Sequence, residues 1–188
     1  MFGAAALTVL SPILLVAMAA WFLGDGRPTL YRRRVLGLKG VEFDALKLRT
    51  MRRDADAWIE SQPELYARYQ NEHKLDRDPR LTRWGRILRC LSIDEIPQLI
   101  NVLRGKMSLV GPRMIHPSEL QRFGDCAGER LGVNPGLTGL WQVSGRNDLT
   151  YESRVALDLE YIRHRSWAWD IQILARTVPA VLTARGAR

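Results

Sequence analysis

The first 23 residues, MFGAAALTVLSPILLVAMAAWFL, form an apolar run without a charged side chain. About 20 helical residues, at about 1.5 Å each, just reach across a hydrocarbon core of about 30 Å. Pro12 in the middle of the run removes a helical hydrogen bond and bends the helix, and Ser11 can deepen the bend. The pattern leaves open a helix that crosses the membrane, a cleaved signal peptide, and a broken helix that returns to the face it entered.

The rest of the chain carries short patterns of both strands and helices. Residues 40–51, GVEFDALKLRTM, begin like a strand, and residues 107–113, MSLVGPR, predict a short buried strand that enters a tight turn. Residues 54–74 are highly polar with helical periodicity. Residues 134–148, NPGLTGLWQVSGRND, are rich in Gly and polar residues with almost no periodicity, so we expect a functional loop there.

Three further helices follow from apolar spacing and capping residues. The first carries one apolar stripe, formed by Ile96, Leu99, Ile100 and Leu103. Gly105 is a suitable end for this helix. Thr150 can cap a second helix that continues to about His164, and a third begins near Ser166.

The third helix combines aromatic and aliphatic side chains with nearby arginines. Its apolar positions are Trp167, Trp169, Ile171, Ile173, Leu174 and Val178. Such a composition suits a helix that lies in the membrane interface, but the same stripe could equally be core. The sequence leaves both interpretations open.

Composition places the chain among folded, basic proteins. Its 188 residues are enough for one domain with a real core, and 46% are hydrophobic and 26% charged. Cys90 and Cys126 are too few for a disulfide framework, and neither has a Cys or His at metal-ligand spacing, so we expect a cytoplasmic setting. The formal net charge of +8 predicts anionic partners, which could be nucleic acid, acidic lipid or phosphorylated substrates.

Two adjacent carboxylates, Asp94 and Glu95, lie where the helix before Gly105 is predicted to start. Ser92 and Glu95 match a capping box, in which Glu95 would only satisfy backbone donors. Pro97 is tolerated within the first turn, so the helix should begin at about residues 93–96. Both interpretations place the carboxylates at the positive end of the helix, which should favour their ionised form and lower the pKa.

An ionised carboxylate is a poor general acid but a suitable nucleophile or ligand of Mg²⁺. Arginines on both sides of Asp94 and Glu95 suit a phosphoryl substrate, whereas a glycosidase pair would have to face each other across a sugar. The residues therefore favour phosphoryl transfer. Two alternatives are a membrane-tethered nucleic-acid-binding module that uses the arginine-rich residues 76–89, and a non-catalytic membrane scaffold.

Residues 78–113, DPRLTRWGRILRCLSIDEIPQLINVLRGKMSLVGPR, closely resemble the core motif of the bacterial sugar transferases, the monotopic phosphoglycosyl transferases. Residues 43–51, FDALKLRTM, resemble the basic motif that precedes it in this family. Residues 134–162 are similar to the C-terminal part of members that start exopolysaccharide or O-antigen repeats with a hexose phosphate. The similarity runs from the apolar leader almost to the C-terminus.

The resemblance implies an enzyme that transfers a sugar 1-phosphate from a UDP-sugar to undecaprenyl phosphate and releases UMP. Asp94 would be the nucleophile and form an aspartyl-phosphosugar, and Glu95 would assist at the metal or handle the acceptor's proton. Mg²⁺ would bridge these carboxylates and the diphosphate. The family positions expected to hold phosphate oxygens are Lys47, Arg49, Arg89 and Arg113, and those expected to contact nucleotide or sugar are Gln142 and Arg146.

The resemblance also implies an α+β, mostly helical fold. A compact cytosolic catalytic domain, residues 24–188, with interfacial amphipathic helices would follow a re-entrant membrane helix, residues 1–23, broken at Ser11 and Pro12. The expected location is the cytoplasmic face of the bacterial inner membrane. The expected partners are the UDP-sugar, the carrier lipid and membrane lipid, with no nucleic acid, and the oligomeric state is open.

Three positions depart from the family pattern. Met114 stands where a second proline usually follows Arg113, which questions the backbone of that loop. Leu48 replaces an aromatic residue, a change we expect to affect packing. The basic lead-in of the family is missing before Phe2, so we expect a shortened N-terminus. The C-terminal resemblance favours glucose or galactose over an N-acetylated sugar without identifying the sugar.

Overall fold

A computed structural model describes residues 29–72, 75 and 78–183. The predicted re-entrant helix, its break at Ser11 and Pro12, and the boundary after residue 23 lie outside the described residues. Among the helices of the described ranges, none combines the length and apolarity needed to cross a bilayer.

The described chain is mostly helical with two small sheets, which confirms the predicted α+β class. The strands are β1 (Leu30–Leu36), β2 (Glu42–Leu48), β3 (Ser108–Val110) and β4 (Gly136–Thr138). The helices are α1 (Ala55–Glu60), α2 (Pro63–Glu72), α3 (Arg83–Cys90), α4 (Gln98–Leu103), α5 (Ala127–Leu131), α6 (Leu140–Ser144), α7 (Tyr151–His164) and α8 (Trp167–Leu182). Short 3-10 segments span Leu38–Gly40, Ile93–Glu95, Pro117–Cys126 and Arg146–Asp148.

Strands β1 and β2 form an antiparallel hairpin. The strand pattern of residues 40–51 predicts β2, whereas β1 was not predicted. The register pairs Leu30 with Leu48 and Leu36 with Glu42. The core cluster beneath the hairpin contains Val35, Phe43, Ala45, Met107 and Met114. Side chains alternate between the two faces of a strand, so Lys47 shares the inward face of Phe43 and Ala45. The hairpin thus directs a lysine from the end of its core face toward the interior.

The predicted apolar stripe of helix α4 is wrong in part. Leu99 is buried as expected, but Leu103 is exposed. Gln98 and Asn101 are buried instead. The Asn101 amide accepts a hydrogen bond from the N–H of Leu46 at 3.0 Å and donates one to the carbonyl of Asp44 at 2.9 Å. Helix α4 is therefore fastened to strand β2 by a polar side chain.

The glycine-rich segment 134–148 is more ordered than the predicted loop. It contains strand β4, which pairs in parallel with β3, and helix α6. A side chain at Gly136 or Gly139 would collide with the main chain of Gly111. These glycines therefore permit close contact between backbones, which hydrophobic periodicity does not reveal.

The last two helices begin where the capping residues predict. Thr150 Oγ1 accepts from the N–H of Ser153 at 3.2 Å, and Ser166 Oγ accepts from the N–H of Trp169 at 3.3 Å. Helix α7 ends at His164 as expected.

The apolar stripe predicted for helix α8 divides between two surroundings. Ile173 is buried in a core cluster, and Trp169 packs partly buried against it and stacks on Tyr161 with ring centres 6.2 Å apart. Five other large apolar side chains of the helix are exposed: Trp167, Ile171, Leu174, Val178 and Leu182. The core interpretation therefore holds for one side of α8 and leaves an apolar side facing outward.

Candidate active site

Asp94 and Glu95 lie on a three-residue 3-10 turn, separate from helix α4. Ser92 precedes the turn with a φ of 55°, and its side chain makes no capping hydrogen bond. The capping-box hypothesis is therefore wrong. A non-glycine residue in this left-handed conformation costs about 1–3 kcal/mol and persists only where its surroundings hold it, and such residues cluster at functional sites.

The Glu95 carboxylate binds two cations from distant parts of the chain. Its Oε1 lies 2.7 Å from Lys47 Nζ and 2.6 Å from Arg113 Nη2, and its Oε2 lies 3.4 Å from Arg113 Nη1. Burial acts to raise the pKa of Glu95, but Arg113 and Lys47 outweigh this effect and hold the pKa well below its usual range. Glu95 is therefore a permanent anion at neutral pH that fixes two positive groups.

Asp94 behaves in the opposite way. It is only 5% exposed, and burial raises its pKa to about 6, against the attraction of Lys47 and with help from the like charge of Glu95. The expectation that a helix dipole would lower the pKa of Asp94 is wrong, because a three-residue turn has little dipole and burial dominates. The positive charges of Arg89 and Arg113 also act to lower the pKa of Asp94 and limit the effect of burial. Asp94 is therefore mostly ionised at neutral pH.

Each cation near these carboxylates comes from a different element. Lys47 comes from the inward face of β2, and Arg113 follows the turn after β3. Arg89, at the end of α3, donates from Nε to Thr50 Oγ1 at 2.9 Å, and its charge acts on Asp94. Arg146 has a φ of 52°, and its charge interacts with Glu95 and Arg113. The structure thus brings together six of the predicted residues as the Asp94 cluster: Lys47, Arg89, Asp94, Glu95, Arg113 and Arg146.

Arg49 and Gln142 make their described contacts elsewhere. The Arg49 guanidinium lies 5.9 Å from the centre of the Tyr31 ring. Gln142 Nε2 donates to the carbonyl of Leu137 at 3.2 Å. Their roles in binding phosphate, nucleotide or sugar stay predictions.

The sequence profile described as bacterial sugar transferase matches residues 1–184. The chain belongs to the bacterial sugar transferase family. The exopolysaccharide production protein ExoY of Rhizobium meliloti is 43% identical over 186 residues, which are 97% of this transferase and 82% of the relative. The resemblance found in the sequence is confirmed.

Two other relatives have names that state an activity. The undecaprenyl-phosphate galactose phosphotransferase of Salmonella typhimurium is 42% identical over 167 residues, which are 87% of this transferase and 35% of the relative. The UDP-glucose:undecaprenyl-phosphate glucose-1-phosphate transferase of Caulobacter vibrioides is 42% identical over 194 residues, which cover 98% of this transferase and 68% of the relative.

The carboxylates of the transferase could hold a magnesium ion if a substrate supplied further oxygen ligands. Within the described ranges, no group of three or more His, Cys, Asp or Glu side chains could hold a metal ion. Glu95 directs its oxygens at Lys47 and Arg113, which leaves Asp94 as the better placed carboxylate. Mg²⁺ usually keeps several waters and binds through one or two carboxylates plus substrate phosphates. A single carboxylate from Asp94 agrees with this coordination pattern, and the magnesium ion itself stays a prediction.

Four residues that the sequence did not single out surround Arg113. Its guanidinium carbon lies 5.8 Å from the centre of the Trp141 ring, and that of Arg154 lies 5.1 Å from the same ring. Asp158 and Arg130 contact the main chain of Arg113. Burial raises the pKa of Asp158 to about 7, against the attraction of Arg130. The sequence signal for Arg130 and Asp158 was a charged residue among apolar helix positions. Such a signal does not identify the residue that the charged side chain contacts.

Proposed function

We propose that this transferase moves a hexose 1-phosphate from a UDP-hexose to undecaprenyl phosphate at the cytoplasmic face of the bacterial inner membrane and releases UMP. The named activities of the Salmonella and Caulobacter relatives support this reaction. The observation that carries the proposal is the Asp94 cluster, in which buried Asp94 and partly buried Glu95 lie among four cationic side chains. Such an arrangement suits a substrate with a diphosphate.

The reaction consists of two substitutions at one phosphorus atom. A carboxylate oxygen of Asp94 attacks the sugar-bearing phosphorus, and the bond from that phosphorus to the bridging oxygen breaks. UMP leaves with the bridging oxygen and its electron pair, so the sugar phosphate remains on Asp94 as an acyl phosphate. A phosphate oxygen of the carrier lipid then attacks the same phosphorus, and Asp94 leaves as a carboxylate.

Both nucleophiles are anions that need no proton removed, so the protein contributes position and charge. Lys47 and Arg113, held by Glu95, lie where they can offset the negative charge of the diphosphate beside Asp94. Arg89 and Arg146 add positive charge from the other elements. A magnesium ion held by Asp94 and the diphosphate would supply further neutralisation of the leaving phosphate. Glu95 then serves to hold the cations.

The exposed apolar side of helix α8 supports a location at the membrane surface. Trp167, Ile171 and Val178 follow one another at helical spacing and are all exposed. Helix α3 adds a second exposed set that includes Trp84 and Ile87. A long carrier lipid costs about 0.8 kcal/mol for each methylene brought into water, so the catalytic site should lie at headgroup level.

The test is the release of UMP by detergent-solubilised protein with polyprenyl phosphate, Mg²⁺ and either UDP-glucose or UDP-galactose. Asp94→Asn should lose turnover by a factor of at least about 10⁴, because the nucleophile is absent. Asp56→Asn, an exposed carboxylate of helix α1, is the matched control and should retain the wild-type rate.

Wild-type turnover in Asp94→Asn would overturn the role of Asp94. No UMP from the wild-type chain with any UDP-sugar would favour a scaffold over an enzyme. Mass spectrometry without acceptor separates the two mechanisms: a phosphosugar on Asp94 supports the covalent intermediate, and its absence during turnover indicates a single step.

A further inference from the structure

Both polar groups of the Arg113 main chain are bound by buried ionisable side chains. The N–H of Arg113 donates to Asp158 Oδ1 at 3.3 Å, and its carbonyl oxygen accepts from Arg130 Nη2 at 2.6 Å. Arg130 is 0% exposed and Asp158 is 3% exposed. The two charges come from separate helices, α5 and α7, and attract each other across Arg113.

Packing alone does not explain a buried arginine and aspartate at these positions. Burying a charge costs several kcal/mol, and apolar side chains of similar volume are often as stable or more stable. The neighbouring helix positions Leu131 and Leu159 pack against an apolar cluster. Arg130 Nε and Nη1 have no hydrogen-bond partner in the described part of the chain, so the bond to Arg113 is the described hydrogen bond of this guanidinium. Asp158 also shares a side-chain hydrogen bond with Trp141, whose ring centre lies 5.8 Å from the Arg113 guanidinium carbon. Arg113 and the ring beside it are therefore the features that these charges serve.

We propose that Arg130 and Asp158 are positioning residues that fix the backbone of Arg113, so that its guanidinium remains on Glu95 and beside Asp94. This inference rests on the proposed function, in which Arg113 offsets the charge of the diphosphate. A shift of about 1 Å in such a group can cost a factor of about 10² in rate. A backbone fixed on both sides limits that shift.

The inference also accounts for the departure at Met114. Proline has a fixed φ, which restricts the backbone of a loop, and methionine lacks this restriction. Met114 is instead buried against Val35 and Met107 in the core below the hairpin. Side-chain packing after Arg113 and the two charged groups at Arg113 together replace the restriction that a second proline would supply.

The test compares Asp158→Ala and Asp158→Asn with Glu129→Gln. Glu129 pairs with Arg163 at 2.8 Å and thereby links helices α5 and α7, the two helices that carry Arg130 and Asp158. Both members of this pair are exposed, and their described hydrogen bonds do not involve Arg113. Glu129 is therefore a control for helix docking. Hydrogen exchange of the peptide that spans residues 111–115 is measured together with kcat and KM.

In Asp158→Ala the amide of Arg113 should exchange at least about tenfold faster, because its acceptor is gone. The kcat for UMP release should fall by a factor of about 10 to 100, with a smaller change in KM for the UDP-sugar. Asp158→Asn keeps an acceptor oxygen and should recover most of both effects. Glu129→Gln should match the wild type.

Three results would overturn the inference: unchanged exchange in Asp158→Ala, faster exchange at wild-type kcat, or an equal loss of kcat in Glu129→Gln. If Asp158→Ala does not fold, Arg130→Gln replaces it. This variant removes the donor to the Arg113 carbonyl, so kcat should fall in the same way, whereas exchange of the 111–115 peptide should rise by a smaller factor because Asp158 still accepts from the Arg113 N–H. The exchange measurement does not need turnover. A wild-type chain without UMP release therefore refutes the proposed function, while the exchange result still decides whether Asp158 holds Arg113.

Discussion

At the scale of single residues, neighbours decide what each carboxylate does. Asp94 and Glu95 adjoin in sequence and are both well covered, yet burial raises the pKa of Asp94 to about 6 while that of Glu95 stays well below its usual range. The difference comes from two short ion pairs that Glu95 makes with Lys47 and Arg113. One carboxylate is fixed as an anion, and the other responds to its surroundings, which suits a division between holder and nucleophile.

Asp78 is not part of the Asp94 cluster, but, as for Glu95, a neighbouring cation lowers its pKa despite burial. We therefore expect the stability of the fold to depend on pH through Asp78. Its oxygens accept from Arg80 Nε at 2.9 Å and Nη2 at 2.7 Å. Burial acts to raise the pKa of Asp78, but the hydrogen bonds from Arg80 outweigh it and the pKa is lowered. The pair should therefore stabilise the folded state fully above the unfolded-state value of about 3.9, and the stabilisation should disappear as the pH falls through the folded-state pKa.

Urea unfolding of the wild type and Asp78→Asn measures this effect. At about pH 7 the variant should lose about 3 kcal/mol of unfolding free energy, because an unpaired buried arginine remains. The difference should shrink below about pH 4. Exposed Asp54, which pairs with Arg52, is the control, and its Asn variant should unfold at nearly the same urea concentration as the wild type, because water screens an exposed pair. A difference in free energy that stays constant down to about pH 3 would contradict the argument.

At the scale of elements, backbone contact delivers Arg89 to the Asp94 cluster. Helix α3 packs against Thr50. Arg89, in the last turn of the helix, donates from Nε to the Thr50 hydroxyl at 2.9 Å. A Cβ at Gly85 would collide with the main chain of Thr50. Helix α3 can approach Thr50, just after strand β2, only because residue 85 has no side chain.

Gly85→Ala should therefore destabilise the fold by about 1–3 kcal/mol, since the helix must move away from Thr50. The same shift should draw Arg89 away from Asp94 and lower kcat. Gly128→Ala in helix α5 is the matched control, because a Cβ there meets nothing within 4 Å. Alanine suits a helix better than glycine, so this variant should gain up to about 1 kcal/mol. Denaturant unfolding checks both, and equal stability of the two variants would contradict the close approach.

Elements with local signals could be predicted from the sequence, and those that depend on distant contacts could not. Thr150 and Ser166 cap helices as expected because a hydroxyl satisfies nearby backbone donors. The strand at Gly136 escaped prediction because its partner, β3, lies far away in the chain. Asp94 and Glu95 were identified from their position beside a predicted helix start, and the cations of the Asp94 cluster were named from resemblance. Asp158 contacts a residue 45 positions away and offers no local pattern.

At the scale of the whole molecule, two surface properties favour a membrane surface together. The formal net charge of +8 attracts anionic lipid over a distance of about 10 Å at moderate salt. The exposed apolar side of α8 adds attraction at contact, and its residues recur on one side of the helix. In the proposed location, charge would bring the transferase close, and the apolar side chains would hold it at the depth where a lipid phosphate can reach the Asp94 cluster.

This orientation predicts different lipid contact on two sides of helix α8. A bimane label at Ile171→Cys, in a full chain with Cys90 and Cys126 replaced by Ser, should shift its emission to the blue with phosphatidylglycerol vesicles and be quenched by brominated lipid. The label at Gln172→Cys is the matched control, since it is exposed but about 100° around the helix, and it should be quenched less. Because each label reports on its own position, anchoring by other parts of the chain does not obscure the comparison. Equal quenching at both positions would show that the apolar side of α8 does not face the lipid.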